Sequence, residues 1–186
     1  MKQEKNSGQT IYLKECLRDS FFSLLNEKSA EKISISEIVN LAGLSRMSFY
    51  RYYQTKDDIV RQYIEDTFQD FMGKLRNKPA GDSQAPATLL FRFFRSNKSR
   101  ITILIEQRLF HLFFESFSRF LQESNLVVDS EPSIPKKNQH YYYQYVSGGI
   151  LNLVEGWMRG DMKESDEEMA LVLRQIKEAQ SSKYQS

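Results

Sequence analysis

The chain is 186 residues long, 40% hydrophobic and 27% charged, with a formal net charge of +2 and one cysteine. That length buries a real core without covalent staples, as one domain or two small ones, and the lone Cys16 forms no intrachain disulfide, which fits a reducing compartment. The opening MKQEKNSGQT lacks the apolar run of a signal peptide and no segment approaches the roughly 18 uninterrupted apolar residues of a membrane span, so a soluble, cytoplasmic protein is expected.

Four prolines, eight glycines and long stretches of period 3.6 predict an all-α protein of about nine helices. A first helix, about Gln9 to Asn26, places Leu13, Leu17, Phe21, Leu24 and Leu25 on one side. Ser34 followed by Glu37 spells a capping box, in which each side chain satisfies the other residue's orphan backbone N–H. The second helix then runs from about Ile35 to Ala42 and stops at Gly43, which adopts left-handed geometry without a Cβ penalty. After a four-residue turn Ser45 caps a third helix to about Tyr53, and Thr55 with Asp58 opens a fourth from Lys56 to Arg76.

Those caps set the register of the third helix, and register decides what faces outward. Phe49 and Tyr53 turn inward with Leu44, leaving Arg46, Met47, Ser48, Tyr50, Arg51 and Tyr52 on the exposed arc. Residues 43 to 56 hold Arg46, Arg51 and Lys56 with no acid, a local basic footprint on an otherwise nearly balanced chain. Such an arc suits duplex DNA: Arg forks onto guanine, Ser bonds base edges or phosphate, Met touches a thymine methyl and Tyr hydroxyls reach phosphates.

The stretch LAGLSRMSFYRYYQTKDDIV resembles the helix-turn-helix of TetR-family transcriptional regulators, through Ala42 and Gly43 at the turn, the Ser45 opening, the Phe49–Tyr50 pair, the aromatic Tyr53 and Lys56 ahead of acidic residues. The resemblance implies that Ser34, Ser45, Tyr50, Tyr52 and Lys56 hold the DNA backbone while Arg46, Met47 and Ser48 read bases. Met47 stands where the family commonly has a small residue or proline, and Tyr52 where it commonly has His.

Further along, residues 77 to 86 gather Pro79, Gly81 and Pro86 into the clearest break in the chain, and 129 to 138, with Pro132 and Pro135, into a second. The fourth helix is long enough to join a head, residues 1 to 55, to a domain over 56 to 186. The eighth, about Asn138 to Arg159, is apolar around most of its circumference and must be buried on more than one side. A last helix opens with the box Ser165 to Glu168. Gly149, Leu153 and Gly156 on the one helix, with Met169, Val172 and Ile176 on the other, form the expected dimer interface of four helices from two copies. YYYQYVSGGILNLVEGWMRG and SDEEMA resemble the TetR-type ligand domain common in Firmicutes, so the two resemblances together cover roughly residues 10 to 178.

The aromatic density of residues 91 to 120 and 140 to 157 reads either as core or as an apolar pocket lined by Phe110, Phe113, Phe117, Tyr142, Tyr143 and Trp157, with His111 or a Tyr hydroxyl as the polar contact. No metal-ligand spacing, Gly-rich phosphate loop or nucleophile elbow appears, so neither a metal, a cofactor nor an enzymatic activity is expected. The reading is a homodimeric repressor of a roughly palindromic operator in double-stranded DNA, released by a small apolar or aromatic effector. Its rivals are a helical adaptor that binds a protein through the aromatic domain, with DNA binding secondary, and a small helical enzyme or carrier.

Overall fold

The computed structural model describes residues 2–76, 86–124 and 134–182, and every regular element among them is helical. The nine α-helices among the described residues are α1 (Lys2–Glu27), α2 (Ile35–Leu41), α3 (Arg46–Tyr50), α4 (Asp57–Arg76), α5 (Pro86–Ser96), α6 (Lys98–Glu106), α7 (Phe113–Ser124), α8 (Gln139–Arg159) and α9 (Asp166–Ser182). Short 3-10 turns occupy Ala30–Lys32, Phe110–Leu112 and Lys136–Asn138. Of the two expected breaks, 77–85 and 129–133 lie outside the described residues. Two helix ends differ from expectation. α1 reaches back to Lys2 through Gly8, and α3 ends at Tyr50, after which Tyr52 and Tyr53 each donate to Phe49 O in a tightening turn.

Two compact units are present. The first comprises Met1–Asp66 together with Ile103–Leu112, so it runs beyond residue 55 and takes in a piece from the middle of the chain. Leu17, Phe21 and Leu25 from α1, Ile38 from α2, Phe49 from α3, and Ile59 and Ile64 from α4 are almost wholly buried, as are Leu104 and Leu109 of the 103–112 segment. Fully burying each such side chain is worth about 1.5–3 kcal/mol, which is far more than any exposed ion pair here contributes. Phe22 and Tyr63 meet edge to face at 5.1 Å, the arrangement that aromatic quadrupoles prefer.

Helix ends in this unit follow the caps. Ser34 Oγ accepts the Glu37 N–H at 3.3 Å while Glu37 Oε2 accepts the Ser34 N–H at 2.9 Å, closing the capping box. At the other end of α2 the Leu44 N–H reaches Val39 O at 2.8 Å and the Gly43 N–H reaches Asn40 O at 3.2 Å. That is a Schellman closure, and it requires the left-handed φ of +66° at Gly43. The Asp58 carboxylate takes the N–H groups of Thr55 and Gln54 at 2.7 and 3.0 Å, fixing the start of α4.

The second unit comprises Thr67–Thr102 and Phe113–Ser186. Its core is a phenylalanine cluster: Phe68 stacks on Phe93 at 5.2 Å and on Phe120 at 4.9 Å, with Phe117 and Phe113 against it at 5.5 and 6.0 Å. Where α8 turns into α9, Asp161 and Met162 take positive φ values of 65° and 54°, unusual for side-chain-bearing residues. Arg95 of α5 holds that turn. Its Nε meets Asp166 Oδ1 at 2.7 Å, its other nitrogens donate to Met162 O at 3.2 Å and Glu164 O at 2.6 Å, and its guanidinium lies 4.8 Å from the Trp157 ring centre. Ser165 and Glu168 then open α9 as a capping box, the carboxylate taking the Ser165 N–H at 2.7 Å. Among the described residues no helix is long and apolar enough to cross a membrane.

Candidate nucleic-acid interface

The local sequence places α3 with one side sealed and the other open. Phe49 is 0% exposed and Tyr53 nearly as buried, their rings 5.8 Å apart, whereas Met47 is 77% and Tyr50 57% exposed. Tyr50 leans edge-on against Phe49 at 5.4 Å, so the exposed ring is steadied from beneath. Arg46 and Arg51 are exposed, and Ser48 and Tyr52 half-buried. Exposed large apolar and aromatic groups beside cations on a short, rigidly seated helix form a surface built to be covered.

The polar members are already partly engaged. Ser45 Oγ accepts the Ser48 N–H at 3.1 Å and lies 3.0 Å from Ser48 Oγ. One hydroxyl proton is used between the two serines, and the other is left for a ligand. The Ser34 hydroxyl donates to Glu37 Oε2 at 2.9 Å, so its proton is committed inside the capping box. Lys56 Nζ donates to Ala30 O and, at 3.1 Å, to Ile33 O, which leaves one of its three N–H groups to point elsewhere. Arg46 donates from Nε at 3.0 Å, and also from Nη2, to Ser36 Oγ on α2. Ser36 was not among the residues singled out from the sequence. It lies ten positions from Arg46, and no short-range pattern joins them.

Carboxylates around α2 and α4 reinforce this scaffold rather than compete for cations on the open face. The hydrogen bond from Lys28, with those from the Ser34 backbone and hydroxyl, holds the Glu37 carboxyl down at about 2. Burial pushes the Asp58 carboxyl up, yet the N–H groups of Thr55 and Gln54 outweigh it and leave the group below its ordinary value. Burial lifts the Tyr53 hydroxyl to about 12, so it stays protonated and uncharged beneath the open face of α3.

The expected effector-pocket residues are divided between the two units. Phe113, Phe117, Tyr143 and Trp157 are buried in the second unit, with Phe113 and Phe117 in the ring cluster and Trp157 Nε1 donating to Glu164 O at 3.2 Å. Phe110 is buried in the first unit, and the exposed His111 has Nδ1 3.0 Å from Arg108 O. Tyr142 alone of the seven lines the groove of about 840 Å³ that opens in the second unit. That groove has apolar walls from Leu90 of α5, Phe114 and Leu121 of α7, Ile150 of α8 and Ala170 and Leu173 of α9. Three expected dimer residues, Gly149, Leu153 and Ile176, also line it. Met169 is buried, Val172 half-buried and Gly156 exposed.

Two family models match the chain. The one described as "Bacterial regulatory proteins, tetR family" covers residues 20–63, and the one described as "Transcriptional regulator C-terminal region" covers residues 81–178. The chain belongs to the TetR family of transcriptional regulators. Among its relatives, the HTH-type dhaKLM operon transcriptional activator DhaS of Lactococcus lactis is 22% identical over 139 residues, which is 74% of this chain and 70% of that protein. The fold is similar to that of Lin0861 from Listeria innocua, with a TM-score of 0.77 at 17% identity and 91% of each chain covered. A TetR transcriptional regulator from Streptococcus agalactiae superposes with a TM-score of 0.61 at 18% identity, covering 90% of this chain and 94% of that one. This TetR-family protein is therefore a DNA-binding transcriptional regulator and not an enzyme, and members of its family bind operators and form dimers.

Proposed function

We infer that this regulator acts in the cytoplasm as a homodimeric repressor of a roughly palindromic operator. The observation that carries this reading is the open face of α3, where Met47 and Tyr50 are exposed over the buried Phe49. Arg46, Met47 and Ser48 read base edges. Ser34, Ser45, Tyr50, Arg51, Tyr52 and Lys56 hold the phosphates, Ser34 by its position at the start of α2 rather than through its committed hydroxyl. Two-fold symmetry sets two such faces into successive major grooves about 34 to 36 Å apart.

The second copy seats on α8 and α9, around Gly149, Leu153 and Gly156 and around Met169, Val172 and Ile176. In support, Tyr141, Tyr145, Leu171 and Ile176 are all exposed large apolar side chains on these two helices. Release follows when a small apolar or aromatic effector binds the dimer state whose head spacing no longer fits the operator, which requires different affinities for the two states. With Phe113 and Phe117 of α7 and Tyr143 and Trp157 of α8 committed to the core, such a ligand enters beside Tyr142, where the groove is open.

Selecting bound fragments from random duplex DNA tests the reading. An enriched, roughly palindromic site, with affinity falling on log salt at about 0.9 per phosphate neutralised, is the expected result. Enrichment of no site by the folded dimer would sink it. A reporter placed behind that site separates repressor from activator, since loss of the regulator raises transcription only in the first case.

A further inference from the structure

The Arg46 guanidinium on α3 is held in place by a second helix. Its Nε–H donates to Ser36 Oγ at 3.0 Å and an Nη2–H donates to the same oxygen. A guanidinium is planar and carries five N–H donors in a rigid fork. Nε and Nη2 form one edge of that fork, so Ser36 occupies the side edge. The end edge, made of one N–H from each terminal nitrogen, is left unoccupied by this contact, and two parallel N–H groups of that spacing match the O6 and N7 acceptors of guanine.

Ser36 has no evident structural task that needs a hydroxyl. The capping of α2 belongs to Ser34, and Ser36, in the first turn of that helix, is only half-buried. Arginine, by contrast, has a long side chain that loses much rotamer freedom when it docks, so holding it beforehand improves recognition. A base contact is also only as selective as the shell that supports it.

We propose that Ser36 is a positioning residue for base recognition: it fixes the side edge of Arg46 so that the end edge meets one guanine of the operator. The proposal rests on the reading of Arg46 as a base contact. Because the two serine–arginine bonds form in the free protein, the guanidinium arrives at DNA already oriented.

The test measures binding of the full-length dimer to its selected operator and to operators substituted at each position, for Ser36→Ala, Ser36→Thr, Arg46→Ala and the Ser36→Ala/Arg46→Ala pair. Arg46→Ala should lose roughly 10- to 100-fold discrimination at one G·C pair. Ser36→Ala should lose about 3- to 10-fold at that same pair, the scale of one lost hydrogen bond, with affinity for random duplex and the melting midpoint unchanged. Ser36→Thr, which keeps the hydroxyl, should restore discrimination, and the double variant should match Arg46→Ala alone. If Arg46→Ala relaxes no pair, the base-reading role of Arg46 fails and the proposal with it. If Arg46→Ala relaxes one pair while Ser36→Ala weakens every sequence equally, Ser36 is a phosphate contact and the positioning role is overturned. Wild-type discrimination in Ser36→Ala overturns it too, while leaving Arg46 as a reader.

Discussion

Gln107 and Ala30 are joined across 77 positions of sequence: Gln107 Oε1 accepts the Ala30 N–H at 3.0 Å. The same amide donates from Nε2 to Leu25 O at 2.7 Å. One side chain thus satisfies the last turn of α1 and the first N–H of the turn that leads to α2. Both groups lack a partner within their own helix, and leaving them unmet costs about 1–3 kcal/mol each when water is excluded. Gln107→Leu should therefore destabilise the first unit by about 1–3 kcal/mol, read as a lower urea midpoint at unchanged slope. An unchanged midpoint would show that water replaces the amide at no cost.

Acid should loosen α2 before it reaches the core. Glu37 is held at about 2 by Lys28 and Ser34, below its ordinary 4.5. A carboxylate whose folded value is depressed adds stability that is complete above the unfolded value and is lost as pH falls through the folded one. The window runs from about 4.5 down to about 2. Glu37→Gln should flatten the dependence of stability on pH across that window, and equal slopes for variant and parent would remove Glu37 from the account.

Lys56 has two employments, and they are separable. Its ammonium ties the carbonyls of Ala30 and Ile33 to the start of α4, and one N–H is left over for the proposed phosphate contact. Lys56→Ala should weaken binding to all duplexes alike, lower the salt slope by about 1, and also reduce the melting midpoint of the free protein. Loss of stability with no change in slope would confine Lys56 to the scaffold.

What the sequence makes legible here is local. Ser34 with Glu37, Ser45 with Ser48, Ser165 with Glu168 and the turn at Gly43 are stereochemical rules acting over three to six residues, and each forms as its spacing implies. The inward turn of Phe49 and Tyr53 follows from the same register. Long-range pairings are a different matter. No periodicity announces that Gln107 completes the unit containing α1, or that Arg46 rests on Ser36, because both depend on where separate elements meet. Nor does a stripe of phenylalanines say whether the rings enclose a space or fill it. Here Phe113 and Phe117 fill it, packed among Phe68, Phe94 and Phe120 with ring centres between 5.5 and 6.3 Å from their neighbours, which leaves no void for a ligand. The open groove instead forms beside small residues, Gly148, Gly149 and Ala170, that contribute little to any hydrophobic count.

The glycines of α8 supply the assembly prediction. A Cβ built at Gly149 or at Gly156 meets nothing within 4 Å in the single chain, so the backbone of α8 has open space beside it at both positions. Gly148 differs, for there a Cβ would sit 3.7 Å from the Phe114 ring of the same chain, an ordinary contact that serves as an internal comparison. If α8 packs on its symmetry mate, Gly149→Leu or Gly156→Leu inserts a branched side chain into a close helix contact, and overpacking of that kind costs about 1–3 kcal/mol at each of two symmetric positions. The folded monomer should persist, since neither glycine has a neighbour within reach of a Cβ in its own chain. Sedimentation should then show a dimer-to-monomer shift for these variants, with the helical content and melting of the monomer preserved and operator affinity reduced, because two half-sites are no longer bound as one unit. Dimers of unchanged strength in both variants would place the interface away from this stretch of α8.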